Sequence, residues 1–333
     1  MSERVNRYMQ STSCLPKYVG AAILAVAAGA ATAQQYPSKP LRLIVPFAPG
    51  GSADFVARLV GQKLAESFGQ QVIVDNRGGG SGMIGNELVA RSAPDGYTLT
   101  IGTLGPFAVN QSLFSKMPYD PVKDFAPITL TGAASHILVV HPSLPVRTVK
   151  ELIALAKAKP GQLTFASSGI GNATHLTAEL FKVMANVDMV HVPYKSGGLA
   201  MSDLVGGQVS FSFASMPSAL PHVRSGRLRA VAVGAGKRSP AIPELPTVAE
   251  SGLPGFGSED WQGILAPARI PSEIIIKLNA ELRRVLELAD VKEKLLVAGF
   301  EARTSTPEWF GDFIKAEAVK WAKVVKAAGI KAE

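Results

Sequence analysis

The chain has 333 residues, 47% of them hydrophobic and 18% charged, which excludes a disordered or collagen-like polymer and sets a prior of two domains. Its single cysteine excludes a disulfide scaffold and any cysteine-based zinc site. A formal charge of +8 favours anionic partners without saying which.

The first 33 residues read as a targeting segment. Arg4, Arg7 and Lys17 form a basic start with only Glu3 against them, and Val19–Ala30 is an Ala-rich apolar run. Ala31-Thr32-Ala33 follows as a small-residue cleavage site before Gln34. This is the three-part order of a secretory signal peptide, and the apolar run falls short of the roughly 20 residues a membrane span requires. Cleavage after Ala33 removes Cys14 and lowers the formal charge from +8 to +6. Export to a bacterial periplasm is the expectation.

The remaining chain alternates strands, glycine-containing loops and helices. Residues 41–47 (LRLIVPF) read as a buried strand. The loop Ala48-Pro49-Gly50-Gly51-Ser52 follows, with Ser52 expected to cap a helix whose apolar stripe is Phe55, Val56, Leu59, Val60, Leu64 and Phe68. Gly69 stands where that helix should stop. A second strand is expected at 71–74, a glycine loop at 76–82, a helix at 83–91 and a strand at 97–101. Further on, strands are expected at 137–140, 164–166, 189–192, 209–213 and 230–233, with helices at 148–157, 174–184 and 198–205. Amphipathic helices are expected at 273–288 and 307–327, the second capped by Thr306 with Pro307 at its first position. The alternation predicts an α/β fold with mostly parallel sheets. No clean linker halves the chain, as expected if it crosses twice between two domains.

Three loops carry the chemistry. Pro49-Gly50-Gly51-Ser52 joins a strand to a helix, where glycines admit close approach and free N–H groups with the helix dipole attract anions. Ser167-Ser168-Gly169-Ile170-Gly171-Asn172 repeats that design, and Tyr194-Lys195-Ser196-Gly197-Gly198 adds a cation. In open α/β sheets such loops gather at the carboxyl ends of strands, where ligands bind. Loops in two facing domains would each hold one end of a ligand bearing two carboxylates. Each also has a plainer reading as an ordinary strand-to-helix turn.

Other patterns argue less. Gly80-x-Gly82-x-x-Gly85 has dinucleotide-site spacing but follows the second strand, not the first, and the expected acidic residue is replaced by Asp95 in a turn. None of His136, His141, His175, His191 and His222 pairs at metal-ligand spacing, and no metal or cofactor is expected. His175, at the start of a helix, either fixes the preceding loop or touches ligand. Asp54 either complements its helix dipole or ties the first loop. Trp261, Trp309 and Trp321 are expected in the core. The basic residues around Arg224–Arg229 have no interleaved aromatics, which argues against nucleic acid.

Together, residues 36–40 (YPSKP), 44–54 (IVPFAPGGSAD), 75–85 (DNRGGGSGMIG), 94–99 (PDGYTL), 119–128 (YDPVKDFAPI), 167–179 (SSGIGNATHLTAE), 192–195 (VPYK), 245–256 (LPTVAESGLPGF) and 261–267 (WQGILAP) resemble the bacterial tripartite tricarboxylate transporter substrate-binding proteins, the Bug family. The resemblance implies a two-lobed Venus-flytrap periplasmic binding protein, with lobe one at 36–133 plus 258–333 and lobe two at 134–257. It implies ligand contacts from Phe47, Ala48, Pro49, Gly50, Gly51, Ser52, Asp54 and Thr103 in lobe one. In lobe two it implies Ser167, Ser168, Asn172, His175, Tyr194 and Lys195. Two positions depart from the family pattern: Ser196 replaces a common Gly, and Ala214-Ser215 replace an Asp-Asn pair. Losing that aspartate removes one partner for a ligand ammonium, which favours a plain dicarboxylate or related organic acid over an amino acid.

The function implied is a monomeric, non-enzymatic receptor that captures a small carboxylate and delivers it to membrane transporter subunits by lobe closure. A sensor that docks on a signalling partner is the alternative. An enzyme on the same architecture has no nucleophile–base pair to support it, and a regulator's effector domain conflicts with the export signal.

Overall fold

The computed structural model describes residues 36–194 and 196–331; the targeting segment with Cys14, and Lys195, lie outside the described residues. Residues from Lys39 onward form one unit, to which every element below belongs.

The apolar run produces β1 (Leu41–Val45), buried except for Arg42, which pairs with Asp75. Helix α1 (Ser52–Phe68) turns Val56, Leu59, Val60 and Leu64 inward and ends at Gly69, whose φ of 64° suits the left-handed cap. Its N-cap is Gly51 rather than Ser52, because the Ser52 hydroxyl is engaged by Gln262 instead of the helix backbone. Next come β2 (Val72–Asn76), α2 (Met83–Ala90) and β3 (Thr98–Thr103). A single π-helical turn, Gly105–Val109, leads into the short α3 (Asn110–Leu113).

Strand β4 spans Phe125–Val140, far longer than the 137–140 expected. Its first half is buried on both faces and contains Pro127 and Gly132, so it shows neither alternation nor a clean apolar run. Helix α4 (Val149–Ala158) starts on a reciprocal capping box between Thr148 and Glu151. Then follow β5 (Thr164–Ser167), α5 (Ala173–Ala185), β6 (Val190–Pro193), α6 (Gly197–Val205) and β7 (Phe211–Ser215). Helix α7 (Met216–Arg224), unexpected because Pro221 sits inside it, precedes β8 (Arg229–Val233). The chain ends with β9 (Glu259–Pro267), α8 (Ser272–Glu287), α9 (Ala289–Val297), β10 (Phe300–Ala302) and α10 (Pro307–Ala328). Thr306 caps α10 by accepting from the Trp309 N–H, as its sequence indicates.

The strands connect in the order β2-β1-β3-β9-β4-β7-β5-β6, with β8 and β10 also on β4. The outer pairings β1–β2, β1–β3, β5–β6 and β5–β7 are parallel. All pairings of β4 and β9 are antiparallel, so the sheet is mixed where strand–helix alternation suggests mostly parallel. Strand β9 follows β8 without an intervening helix and inserts antiparallel between β3 and β4, which are therefore parallel to one another. Along β4, Ser135 pairs with Glu259 of β9 while His136 pairs with Ser215 of β7, so one strand serves both halves of the sheet.

The principal core cluster takes in Ile44, Phe107, Leu138, Phe165, Phe181, Phe213, Trp261 and Trp321. Trp261 and Trp321 both donate their indole N–H to Oε2 of buried Glu317, at 3.3 and 3.0 Å. Trp309, expected in the core, is 52% exposed and stacks on Phe313; the first turn of α10 points it outward. No helix of the described residues is long and apolar enough to cross a membrane.

Candidate functional site

Strand–loop–helix chemistry at the ends of β1, β2, β3 and β5 builds one cavity of about 620 Å³. The first loop contributes Phe47, Gly51, Ser52 and Ala53, the second Gly80 and Ser81, and the third Thr103, Leu104, Gly105 and Pro106. From the other half of the sheet, Ser168, Gly169, Ile170, Gly171, Asn172 and Ala173 close the opposite wall. The start of α1 and the start of α5 therefore open into the same space. Each helix start presents N–H groups without intrahelical partners and about half a positive charge.

The first loop is held from behind. Asp54 accepts from the Gly50 N–H and from Nε of Arg58, both at 3.0 Å, and its other oxygen accepts from Nδ2 of Asn76 at 3.0 Å. Asn76 also donates to the Phe47 carbonyl at 3.2 Å. The Arg58 hydrogen bond, with those from Gly50 and Asn76, lowers the Asp54 carboxyl to about 2 against the cost of burial. Asp54 is thus a strut of the loop and does not line the cavity. Ala48, Pro49 and Gly50 form the loop's exposed outer side, also away from the cavity.

The second anion loop has its own support. The Asn172 side chain accepts from the Thr174 N–H at 3.3 Å, capping α5. The Gly171 N–H donates to Nδ1 of His175 at 3.1 Å. Ser167 and Nε2 of His191 hydrogen-bond at 2.6 Å, and the two imidazoles stack with centroids 3.9 Å apart. Burial holds His175 down to about 3 and His191 to about 4, with Lys182 and, for His175, the neighbouring His191 adding to the shift. Neither Ser167 nor His175 lines the cavity; both stand behind the loop that does. Tyr194 is likewise turned away, donating its hydroxyl to Asp203 at 2.7 Å; burial first and Asp203 second push it up to about 12.

Of the residues the sequence nominated, Phe47, Gly51, Ser52, Thr103, Ser168 and Asn172 line the cavity. Ala48, Pro49, Gly50, Asp54, Ser167, His175 and Tyr194 do not. The glycines of the dinucleotide-like spacing have packing roles. A Cβ on Gly85 would lie 2.7 Å from the Arg77 carbonyl oxygen, and one on Gly82 would lie 2.7 Å from Pro106. Gly80 and Ser81, the latter at a left-handed φ of 53°, do reach the cavity.

The wall that sequence reasoning missed is β9. Asp260 and Gln262 face the cavity, while Trp261 between them faces the core, as a strand's two-residue period requires. Gln262 donates from Nε2 to the Ser52 hydroxyl at 3.0 Å, and its Oε1 is buried without a hydrogen-bond partner in the structure. Asp260 makes no ion pair with another described residue, and desolvation pushes its carboxyl up to about 6. The polar–apolar–polar order of Asp260-Trp261-Gln262 was the available signal. Asn110, Leu113 and Phe114 complete the lining from the segment after β3, with Asn110 donating to the Ser81 carbonyl at 2.9 Å. Apolar Phe47, Leu104, Pro106, Leu113, Phe114 and Ile170 cover much of the remaining wall. None of the described lining residues is Lys or Arg.

This architecture, an α/β sheet in two groups with a cavity fed by loops of both, is that of two-lobed periplasmic binding proteins. It matches R. palustris Rpa4515, solved with adipate, at a TM-score of 0.78 and 38% identity over 89% of this chain and 99% of that one. It also matches MatC from Rhodopseudomonas palustris, solved with bound malate, at 0.73 and 33% over 87% and 100%. In sequence it is 39% identical over 301 residues to the protein BugT of Bordetella pertussis, covering 90% of this chain and 92% of BugT. The family model described as the tripartite tricarboxylate transporter family receptor matches residues 56–330. The chain belongs to that family of solute-binding receptors.

Proposed function

We propose that this protein is a periplasmic receptor that binds a small dicarboxylate, or a related organic acid, between two lobes and hands it to a membrane transporter. The observation that carries the reading is the pair of helix starts, at Gly51–Ala53 and Asn172–Ala173, opening into one cavity. Two sites of partial positive charge, backed by Ser52, Thr103 and Ser168 hydroxyls, suit a ligand with an anionic group at each end. The adipate and malate of the two solved relatives, each with two carboxylates, support the same ligand class.

In this reading the lobes are residues 36–133 with 258–333, and residues 134–257. The chain passes between them along β4 and again before β9. Closure about these crossings would bring the two helix starts onto the ligand. Export through removal of residues 1–33 places the receptor where solute arrives. In this reading the protein acts as a monomer and without turnover; the receptor family supports its acting by binding.

The test is a melting-point panel with mono-, di- and tricarboxylates on protein that has been unfolded and refolded to remove co-purified ligand. A ligand at 100 times its Kd adds about 2.7 kcal/mol. For a folded chain of this size that is a rise of about 4 °C. A shift with diacids that vanishes on Ser168→Ala or Asn172→Ala supports the reading. No shift with any carboxylate, on folded protein, overturns it.

A further inference from the structure

We propose that Asp260 selects carboxylates whose carbon skeleton carries a hydrogen-bond donor, a hydroxyl or an ammonium group, over the bare diacids. This inference rests on the carboxylate-receptor reading and specifies it.

The argument is one of an unmet acceptor. The helix starts supply donors, and a diacid supplies acceptors to match them. Strand β9 presents the reverse. Asp260 is a carboxylate facing the cavity with no ion-pair partner among the described residues, while its neighbour Gln262 is tied to Ser52 and keeps its Oε1 away from the cavity space.

Position gives the acceptor its meaning. Gln262 pairs in register with Thr103, at the α1 end of the cavity. Two residues before Asp260, the buried Ser258 hydroxyl hydrogen-bonds Thr177 of α5, the helix whose first turn closes the opposite wall, at 2.6 Å. Along β9, Asp260 therefore falls between a residue tied to the start of α1 and one tied to α5, and in this proposal it meets the middle of a ligand rather than its termini. The fold supports this placement firmly, because Trp261, between the two residues, is locked into the core by Phe310 and Phe313 and by its bond to Glu317.

A bare diacid enclosed here brings no donor to Asp260, so it either sits beside a charged carboxylate or holds that group protonated, and each costs binding. Burying an unpaired acceptor or charge is costly, whereas one donor on the ligand relieves it. Sites built to hydrogen-bond a substrate group reject the analogue lacking it far more strongly than apolar pockets reject a missing methylene. A hydroxyl satisfies an acceptor; an ammonium also neutralises Asp260. The missing Asp-Asn pair at the end of β7, which the sequence suggests disfavours an amino group, is then offset by the carboxylate of Asp260 on β9.

The experiment is calorimetric titration of refolded protein with matched series at three chain lengths. These are succinate, malate and aspartate; glutarate, 2-hydroxyglutarate and glutamate; and adipate, 2-hydroxyadipate and 2-aminoadipate. A hydroxy or amino acid binding at least about tenfold tighter than its bare parent is expected, and which of the two leads identifies the donor. Asp260→Ala, which leaves no side-chain acceptor, is expected to bring that ratio to within about threefold, chiefly by weakening the substituted acid. A merely structural role would weaken every ligand alike and leave the ratio intact, which overturns the proposal. So does a bare acid that binds the unaltered protein as well as its substituted partners, a result that needs no variant and leaves the receptor reading standing. Silence from all nine acids removes the receptor reading and this inference with it.

Discussion

Asp54→Asn separates a strut from a ligand contact. The carboxylate accepts three hydrogen bonds, from Gly50, Arg58 and Asn76, and is only 5% exposed. Those bonds lower its pKa from 3.8 to about 2. At 1.36 kcal/mol per unit, that interval corresponds to about 2 kcal/mol of folding stability. The sign follows from the depressed value. Above about pH 4 the carboxylate is ionised in both states and the contribution is fully present, whereas between pH 4 and 2 the unfolded chain takes up the proton first and the contribution is lost. Asparagine keeps one acceptor but turns an amide donor toward other donors, so at pH 7 the variant is expected to be less stable by about 2 kcal/mol, or about 3 °C in Tm. Urea unfolding of both proteins by tryptophan fluorescence at pH 7, 5, 4, 3 and 2.5 measures the gap. It should be constant from pH 7 to 5, narrow below 4 and close near 2. A gap that stays constant down to pH 2.5, or no gap at pH 7, would refute the assignment of Asp54 as an ionised strut.

Two further outcomes follow from the same geometry. Gly82→Ala places a methyl 2.7 Å from Pro106 at a φ of 86°, and should cost about 2 kcal/mol by denaturant titration while weakening carboxylate binding, because Pro106 and Phe47 line the cavity. His136 is held neutral by burial, at about 4 against its ordinary 6.5; its contribution is whole above pH 6.5 and is lost as pH falls. His136→Leu should therefore flatten the fall in stability between pH 6.5 and 4.5 by up to about 1.4 kcal/mol per pH unit, and parallel slopes for the two proteins would contradict it.

What the sequence made legible was local. The turn at Gly50–Ser52, the stop at Gly69, the cap at Thr306 and the loop after β5 each depend on a few adjacent residues with distinctive backbone demands. What it hid was set by distance. Ser52 reads as a helix cap until Gln262, 210 residues later, takes its hydroxyl. His175 and Asp54 sit in motif stretches beside the cavity, but their hydrogen bonds run back into the loops they support. Strand β4 lost its periodic signature because neighbours cover both its faces, and α7 was concealed by Pro221.

Strand β9 shows why a central strand can govern selectivity when loops supply the affinity. Loop backbones offer N–H groups that any carboxylate end can use, so they discriminate weakly among acids of similar reach. A side chain on a strand clamped between β3 and β4 has little freedom to adapt. Asp260 is pinned by the packing of Trp261 on one side and by Gln262 and Ser52 on the other. An acceptor that cannot move away from a ligand must be satisfied by it, or it opposes binding. Chains of this fold that differ at the position of Asp260 should therefore keep the two-ended grip on carboxylates while differing in the group they require between the ends.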